Sequence, residues 1–205
     1  MKTYPSIGRQ VRGRKTDHRL HLFDKLDGNN LRFEWSRKQG WHRFGSRRRV
    51  ITEEHPILGS AMGLFTGTLA DPIARIATDR GWDALVAYAE FWGPNSLGGQ
   101  HQDGDAVRLT LFDVAPYKRG LIGPERFLEL FGALDVPAYL GLHTWDDALV
   151  ARVRAGELDG VSFEGVVGKA GDGHRVVMAK AKTQAWVDAI LARHGEEEGW
   201  RLVNS

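Results

Sequence analysis

The chain has 205 residues, enough for one domain with a sizeable core, and its 42% hydrophobic and 26% charged content is that of a folded globular protein. It contains no cysteine, which excludes disulfides, thiolate metal sites and a cysteine nucleophile. The net charge of +2 is the sum of a basic first quarter and an acidic remainder: residues 1–50 hold 14 Lys/Arg against 4 Asp/Glu, a balance of +10, leaving −8 elsewhere. Such a basic segment is either a polyanion-facing surface or a solvated face without a partner.

The N-terminus "MKTYPSIGRQ" has no apolar leader and no later run is long enough for a membrane span, so a cytoplasmic protein without membrane association is expected. His18 to Phe23 alternates and predicts a strand that ends at Lys25, with the turn-forming "DGNN" just beyond it. "NNLRFEW" and "WHRFGSR", separated by "RKQG", predict two more strands, together an antiparallel meander. "DPIARIATDRGW" predicts a helix opened by Asp71.

"ALVAYAEF" and "VRLTLFDV" are apolar runs of strand length on either side of a Gly-rich loop. "GPERFLELFGAL" and "TWDDALVARVRAG" predict helices, and "SFEGVVGKA" with "HRVVMAKAK" predicts a hairpin around "GDG". A final helix over "TQAWVDAILARHG" precedes a polar tail. Strand runs interrupted by helices predict an α+β domain on antiparallel sheets.

Several strand ends carry chemistry. They are "DKLDG" with Lys25, "AYAEFWG" with Glu90, "LTLFDV" with Phe112, "FEGVVGK" with Glu164 and Lys169, and "AKAK" with Lys180 and Lys182. Taken in this order they resemble the motifs of the covalent nucleotidyltransferases, the superfamily of ATP-dependent DNA ligases, RNA ligases and mRNA capping enzymes. Lys-x-Asp-Gly alone recurs by chance; five motifs in sequence are specific. Asn30, five residues after the lysine, and "AEFWGP" are most similar to the RNA ligase 2 branch.

The resemblance implies an α+β adenylation domain, two antiparallel sheets flanked by helices with a nucleotide cleft between them. It implies that Lys25 takes AMP covalently from ATP, with Mg²⁺ or Mn²⁺, and passes it to a 5′-phosphate that a 3′-hydroxyl then seals. An ATP-dependent RNA ligase is the expectation; a small DNA ligase, a capping guanylyltransferase and a non-catalytic nucleic-acid-binding relative are the rivals. The nucleotide site would comprise Asp24, Lys25, Asp27, Gly28, Asn30, Arg47, Glu90, Phe112, Glu164, Lys180 and Lys182. Glu164, and Asp27 directly or through water, would hold the metal. Asn30 with Arg48 and Arg49 would face the nucleic acid, and Arg48 and Arg49 are also alternatives to Arg47 on the nucleotide.

Each residue also has a plainer reading. Lys180 and Lys182 alternate with alanine and could be the exposed face of an edge strand. Phe112 could be core, and Glu164 a strand-end carboxylate. A lysine at its ordinary pKa of about 10.4 is neutral roughly one time in a thousand near pH 7.4, so neighbouring cations or a metal are expected to depress Lys25. Only about twenty residues follow Lys182, so a single domain over 1–205 is expected, without a substantial C-terminal barrel or helical module. The alternatives are then a compact ligase, an accessory protein that stands in for that module, or a chain that self-adenylylates but seals poorly.

Overall fold

The computed structural model describes residues 3–8, 18–47, 49–94, 96–102 and 104–204. Among the described residues, eight strands form two four-stranded antiparallel sheets. The first has the order β6-β1-β7-β8, built from β1 (Arg19–Lys25), β6 (Tyr139–Thr144), β7 (Gly165–Ala170) and β8 (Val177–Lys182). The second has the order β3-β2-β4-β5, built from β2 (Gly28–Ser36), β3 (Gly40–Ser46), β4 (Ala84–Trp92) and β5 (Arg108–Pro116). The α+β architecture expected from the sequence is therefore present.

Alternation along β2 explains the layering. Leu31, Phe33 and Trp35 point into the larger core with Ala87, Ala89 and Phe91 of β4. That core is closed by α1 (Ser60–Thr68), α2 (Ala70–Asp79) and α3 (Pro124–Phe131). Phe65 of α1 stacks on Phe33 with ring centroids 3.8 Å apart, and burying such a ring stabilises by about 1.5–3 kcal/mol. The other sheet sets Leu20, Leu22 and Val166 against Leu149 and Val153 of α4 (Asp147–Ala155). Each sheet thus packs helices on one face, while Tyr88 and Phe112 of the second sheet and Met178 of the first meet in a smaller cluster with Tyr4 beside a shared cleft. No helix among the described residues is long and apolar enough to cross a membrane.

Local chemistry sets several boundaries. Asp146 accepts from the Leu149 amide at 2.7 Å and opens α4, which ends at Gly156 with φ 75°. Thr183 accepts from the Trp186 amide at 3.1 Å and opens α5 (Gln184–His194).

Four expectations change. The first three strands are not one meander: β1 lies in one sheet and β2–β3 in the other. Asp71 is not a cap but sits in the first turn of α2, which follows α1 almost directly. Gly63 and Gly67 dilute the apolar pattern of α1, and Gly141 that of β6, so neither stands out in the sequence. The polar tail is helix α6 (Glu196–Val203): three glutamates fill its first turn, favourable at a helix N-terminus, and Val203 is buried.

Candidate active site

Lys25 is the last residue of β1 and Gly28 the first of β2, so Leu26 and Asp27 alone carry the chain from one sheet to the other. Lys25 pairs with Gly165 of β7, and Gly28 with Trp92 of β4. A Cβ on Gly28 would lie 2.4 Å from the Phe91 carbonyl oxygen, so this approach of β2 to β4 requires glycine. The connection places Lys25 on the seam where the two sheets face one another.

Glu164, immediately before β7, bridges two ammonium groups. One carboxylate oxygen is 2.9 Å from Lys25 Nζ and the other 3.1 Å from Lys182 Nζ, with the glutamate side chain only 5% exposed. The backbone around it is pinned, since Thr183 donates its amide to the Glu164 carbonyl at 3.0 Å and its hydroxyl to the Phe163 carbonyl at 2.7 Å. Lys182 Nζ also lies 4.0 Å from the Trp186 ring centroid.

These groups open on a cavity of about 580 Å³ between the sheets. Of the residues named from the sequence, Asp24, Lys25, Gly28, Asn30, Arg47, Arg49, Glu90, Phe112, Glu164, Lys180 and Lys182 all line it. Arg48 lies outside the described residues. Asp27 is set behind the wall: its two oxygens accept from the backbone amides of Leu97 at 3.2 Å and Gly98 at 2.6 Å. Asp24, although on the lining, accepts from the Ser162 amide at 2.9 Å.

A buried group behind Phe112 had no assigned role in the sequence. Lys169 Nζ lies 2.8 Å from the Phe112 carbonyl oxygen and 2.8 Å from Asp113 Oδ2, while the Tyr4 hydroxyl donates to that same carboxylate oxygen. The Tyr4 ring meets Phe112 edge-on, centroids 5.0 Å apart. Lys169 stood within a recognised motif; a solitary tyrosine in a basic N-terminal stretch carries no such signal.

No protein-family model matches the sequence, and no curated protein sequence matches it. Solved structures do. An archaeal ATP-dependent RNA ligase superposes with a TM-score of 0.66 at 18% identity, over 94% of this chain and 51% of that one. A lysine-to-alanine mutant of Naegleria gruberi RNA ligase with ATP and Mn gives 0.63 at 15% identity, over 87% and 52%. The same ligase with PPi gives 0.63 at 15%, over the same shares. The fold is that of the ATP-dependent RNA ligases. The chain spans about half the length of each of these proteins.

Within this ligase fold the charge states differ from the sequence expectation. Burial pulls the Lys25 pKa down, but the carboxylates of Glu164, Glu90 and Asp27 outweigh it, and the value is raised. Lys25 is thus an ion-paired ammonium in this state, not a depressed amine. The depressed lysine is Lys180, brought to about 8 by burial and by the charges of Lys182, Lys25 and Arg47. Glu90 is pushed up to about 8, chiefly by burial, with Glu164 and Asp27 adding to it against Lys25. It therefore holds a proton at neutral pH, a state suited to donating to a neutral hydroxyl partner.

Glu164, both of whose oxygens are ion-paired to lysines here, is a cavity-lining carboxylate that could hold a divalent cation. No cluster of three or more His, Asp or Glu that could hold a metal occurs among the described residues. A single carboxylate with phosphate oxygens and waters is an arrangement Mg²⁺ accepts.

Proposed function

We propose that the protein is an ATP-dependent polynucleotide ligase, acting on RNA through a covalent lysyl-AMP at Lys25. The observation that carries this reading is the Lys25–Glu164–Lys182 bridge at the seam between the sheets, facing a cavity shared with Glu90, Phe112 and Lys180. The solved Naegleria gruberi RNA ligase structures with ATP and Mn, or AMP and Mn, support the use of a nucleotide and a divalent metal.

Phe112 stacks on adenine and Glu90 meets the ribose hydroxyls. Lys180, Lys182 and Arg47 hold the phosphates, whose alignment and charge neutralisation supply most of the catalysis in phosphoryl transfer. The Lys25 ammonium gives a proton to solvent and the resulting amine attacks the α-phosphorus; an N–P bond forms as the bond to pyrophosphate breaks, pyrophosphate leaves, and the second amine proton passes to solvent. Drawing the Glu164 carboxylate away from Lys25 removes the nearest charge that keeps the amine protonated. A bound Mg²⁺ or Mn²⁺ supplies further neutralisation of the triphosphate at Glu164.

A terminal 5′-phosphate oxygen then attacks the adenylyl phosphorus, breaking the N–P bond and returning the amine. A 3′-hydroxyl next attacks the 5′-phosphorus, and AMP leaves as the phosphodiester forms. Asn30 and Arg49, which line the same cavity as Lys25, meet the nucleic-acid ends at these steps, with Arg48 as their expected neighbour in sequence.

Intact mass after incubation with ATP and Mg²⁺ tests the reading. Wild type should gain one AMP and Lys25→Ala none; absence of an adduct, or one that survives the substitution, would overturn it. Matched RNA, DNA and hybrid nicks then decide the substrate.

A further inference from the structure

A run of basic residues follows one border of the second sheet. Between Ser36 and Val50 there are six Lys/Arg and no Asp or Glu. In the structure this segment is the turn after β2, the edge strand β3 and the chain leaving it. Arg37 and Lys38 occupy the turn, His42 and Arg43 are exposed on β3, and Arg47 and Arg49 follow on the cavity wall.

The pleat sets the direction in which Arg43 points. Leu31, Phe33 and Trp35 of β2 face the core, so Asn30, Arg32 and Glu34 face the other way, and Asn30 lines the cavity. Arg43 pairs with Glu34 across the strands, and its guanidinium lies 3.5 Å from the Glu34 carboxylate, on that same cleft-side face. Counter-charges along the border are few and weak. Arg43 remains 50% exposed despite Glu34, and Arg37 reaches the almost fully exposed Asp83 only at 3.9 Å. Exposed pairs of this kind hold their partners loosely and yield to a polyanion.

A seven-residue strand rises roughly 23 Å, long enough to run beside several consecutive phosphates. The line starts at Arg47 and Arg49, which line the same cavity as Lys25, and leads away to Lys38. We infer that the β3 border is the backbone track of the protein, on which Arg37, Lys38 and Arg43 hold the phosphodiester chain of a nucleic-acid strand whose reacting end lies at Lys25. This deepens the ligase reading and rests on it. The contacts are to phosphate, so they position the strand without reading its bases.

Salt dependence of binding tests the track separately from catalysis. Each phosphate contact on a single strand contributes about 0.7 to the slope of log K against log salt. A 20-nucleotide 5′-phosphorylated single-stranded RNA, followed by fluorescence anisotropy from low to moderate salt, should bind the Arg37→Ala, Lys38→Ala, Arg43→Ala triple variant with a slope lowered by about 2. The Lys118→Ala, Arg119→Ala, Arg175→Ala variant, which removes the same charge from turns beyond the far ends of β5 and β7, should keep the wild-type slope.

An unchanged slope in the first variant, or an equal drop in both, overturns the track. Lysyl-AMP formation is read in parallel and should persist in the triple variant. If wild type forms no lysyl-AMP the ligase reading fails, while the two slopes still decide whether this border binds nucleic acid. Should the triple variant not fold, Lys38→Glu, at an exposed turn position, should lower the affinity at low salt at least tenfold, and wild-type affinity would equally overturn the proposal.

Discussion

Lys169 of β7 and Asp113 of β5 form a buried ion pair at 2.8 Å, with side chains 7% and 3% exposed, and it is a direct tie between the two sheets. Removing one partner of such a pair strands the other charge and costs about 3–5 kcal/mol. Asp113→Ala should therefore lower Tm by on the order of 10 °C. The Asp113→Ala, Lys169→Met double variant should recover much of that loss. A double-mutant cycle by thermal denaturation checks both, and additive losses would show that the pair does not couple the sheets.

Glu164 is the nearest charge holding Lys25 protonated. Glu164→Gln should lower the Lys25 pKa, so that Lys25 reacts faster with an acylating reagent at pH 8–9 in the ligand-free protein. Peptide-resolved labelling measures this. Equal labelling in both proteins would mean that Glu164 does not set the charge of the amine.

Glu90 gives a stability signature with a defined sign. Its pKa rises from 4.5 in the unfolded chain to about 8 in the fold, so across that interval the native state holds a proton that the unfolded state has lost. Stability is then full below pH 4.5 and declines as pH rises through 8. Glu90→Gln removes this pH dependence: the variant should match wild type near pH 5 and exceed it in Tm by a few degrees near pH 8. Parallel melting curves at the two values decide it.

Lys180 titrates at about 8, so its charge fades just above neutrality. Pyrophosphate affinity should fall as pH passes from 7 to 9.5 and binding should take up protons above pH 8. Lys180→Arg, which keeps its charge throughout, should flatten that decline. Calorimetric titration in buffers of different ionisation enthalpy provides both readings.

Much of the cleft was legible in the linear chain because its residues sit at strand ends, where alternation predicts which face a side chain takes. Lys180 and Lys182 share a face of β8, and Glu90 falls opposite the buried series Leu85, Ala87 and Ala89 on β4. Gly28 illustrates a motif position whose reason is purely spatial, the 2.4 Å approach of any Cβ to the Phe91 carbonyl. Asp27 shows the converse: its place in the motif suggested a metal or nucleotide partner, and in the structure it anchors the loop at Leu97 and Gly98.

By itself the sequence determined most of the strands and helices and the set of charged groups that converge, because periodicity, caps and glycine positions act over a few neighbouring residues. Only the tertiary structure decided that β1 and β2 belong to different sheets, since a two-residue connection reads the same whether it closes a hairpin or crosses a seam. Charge state was likewise a tertiary matter. Coulomb interactions and desolvation depend on distances between groups far apart in the chain, so Lys25, expected to be depressed, is ion-paired and raised, and Lys180 is the depressed lysine.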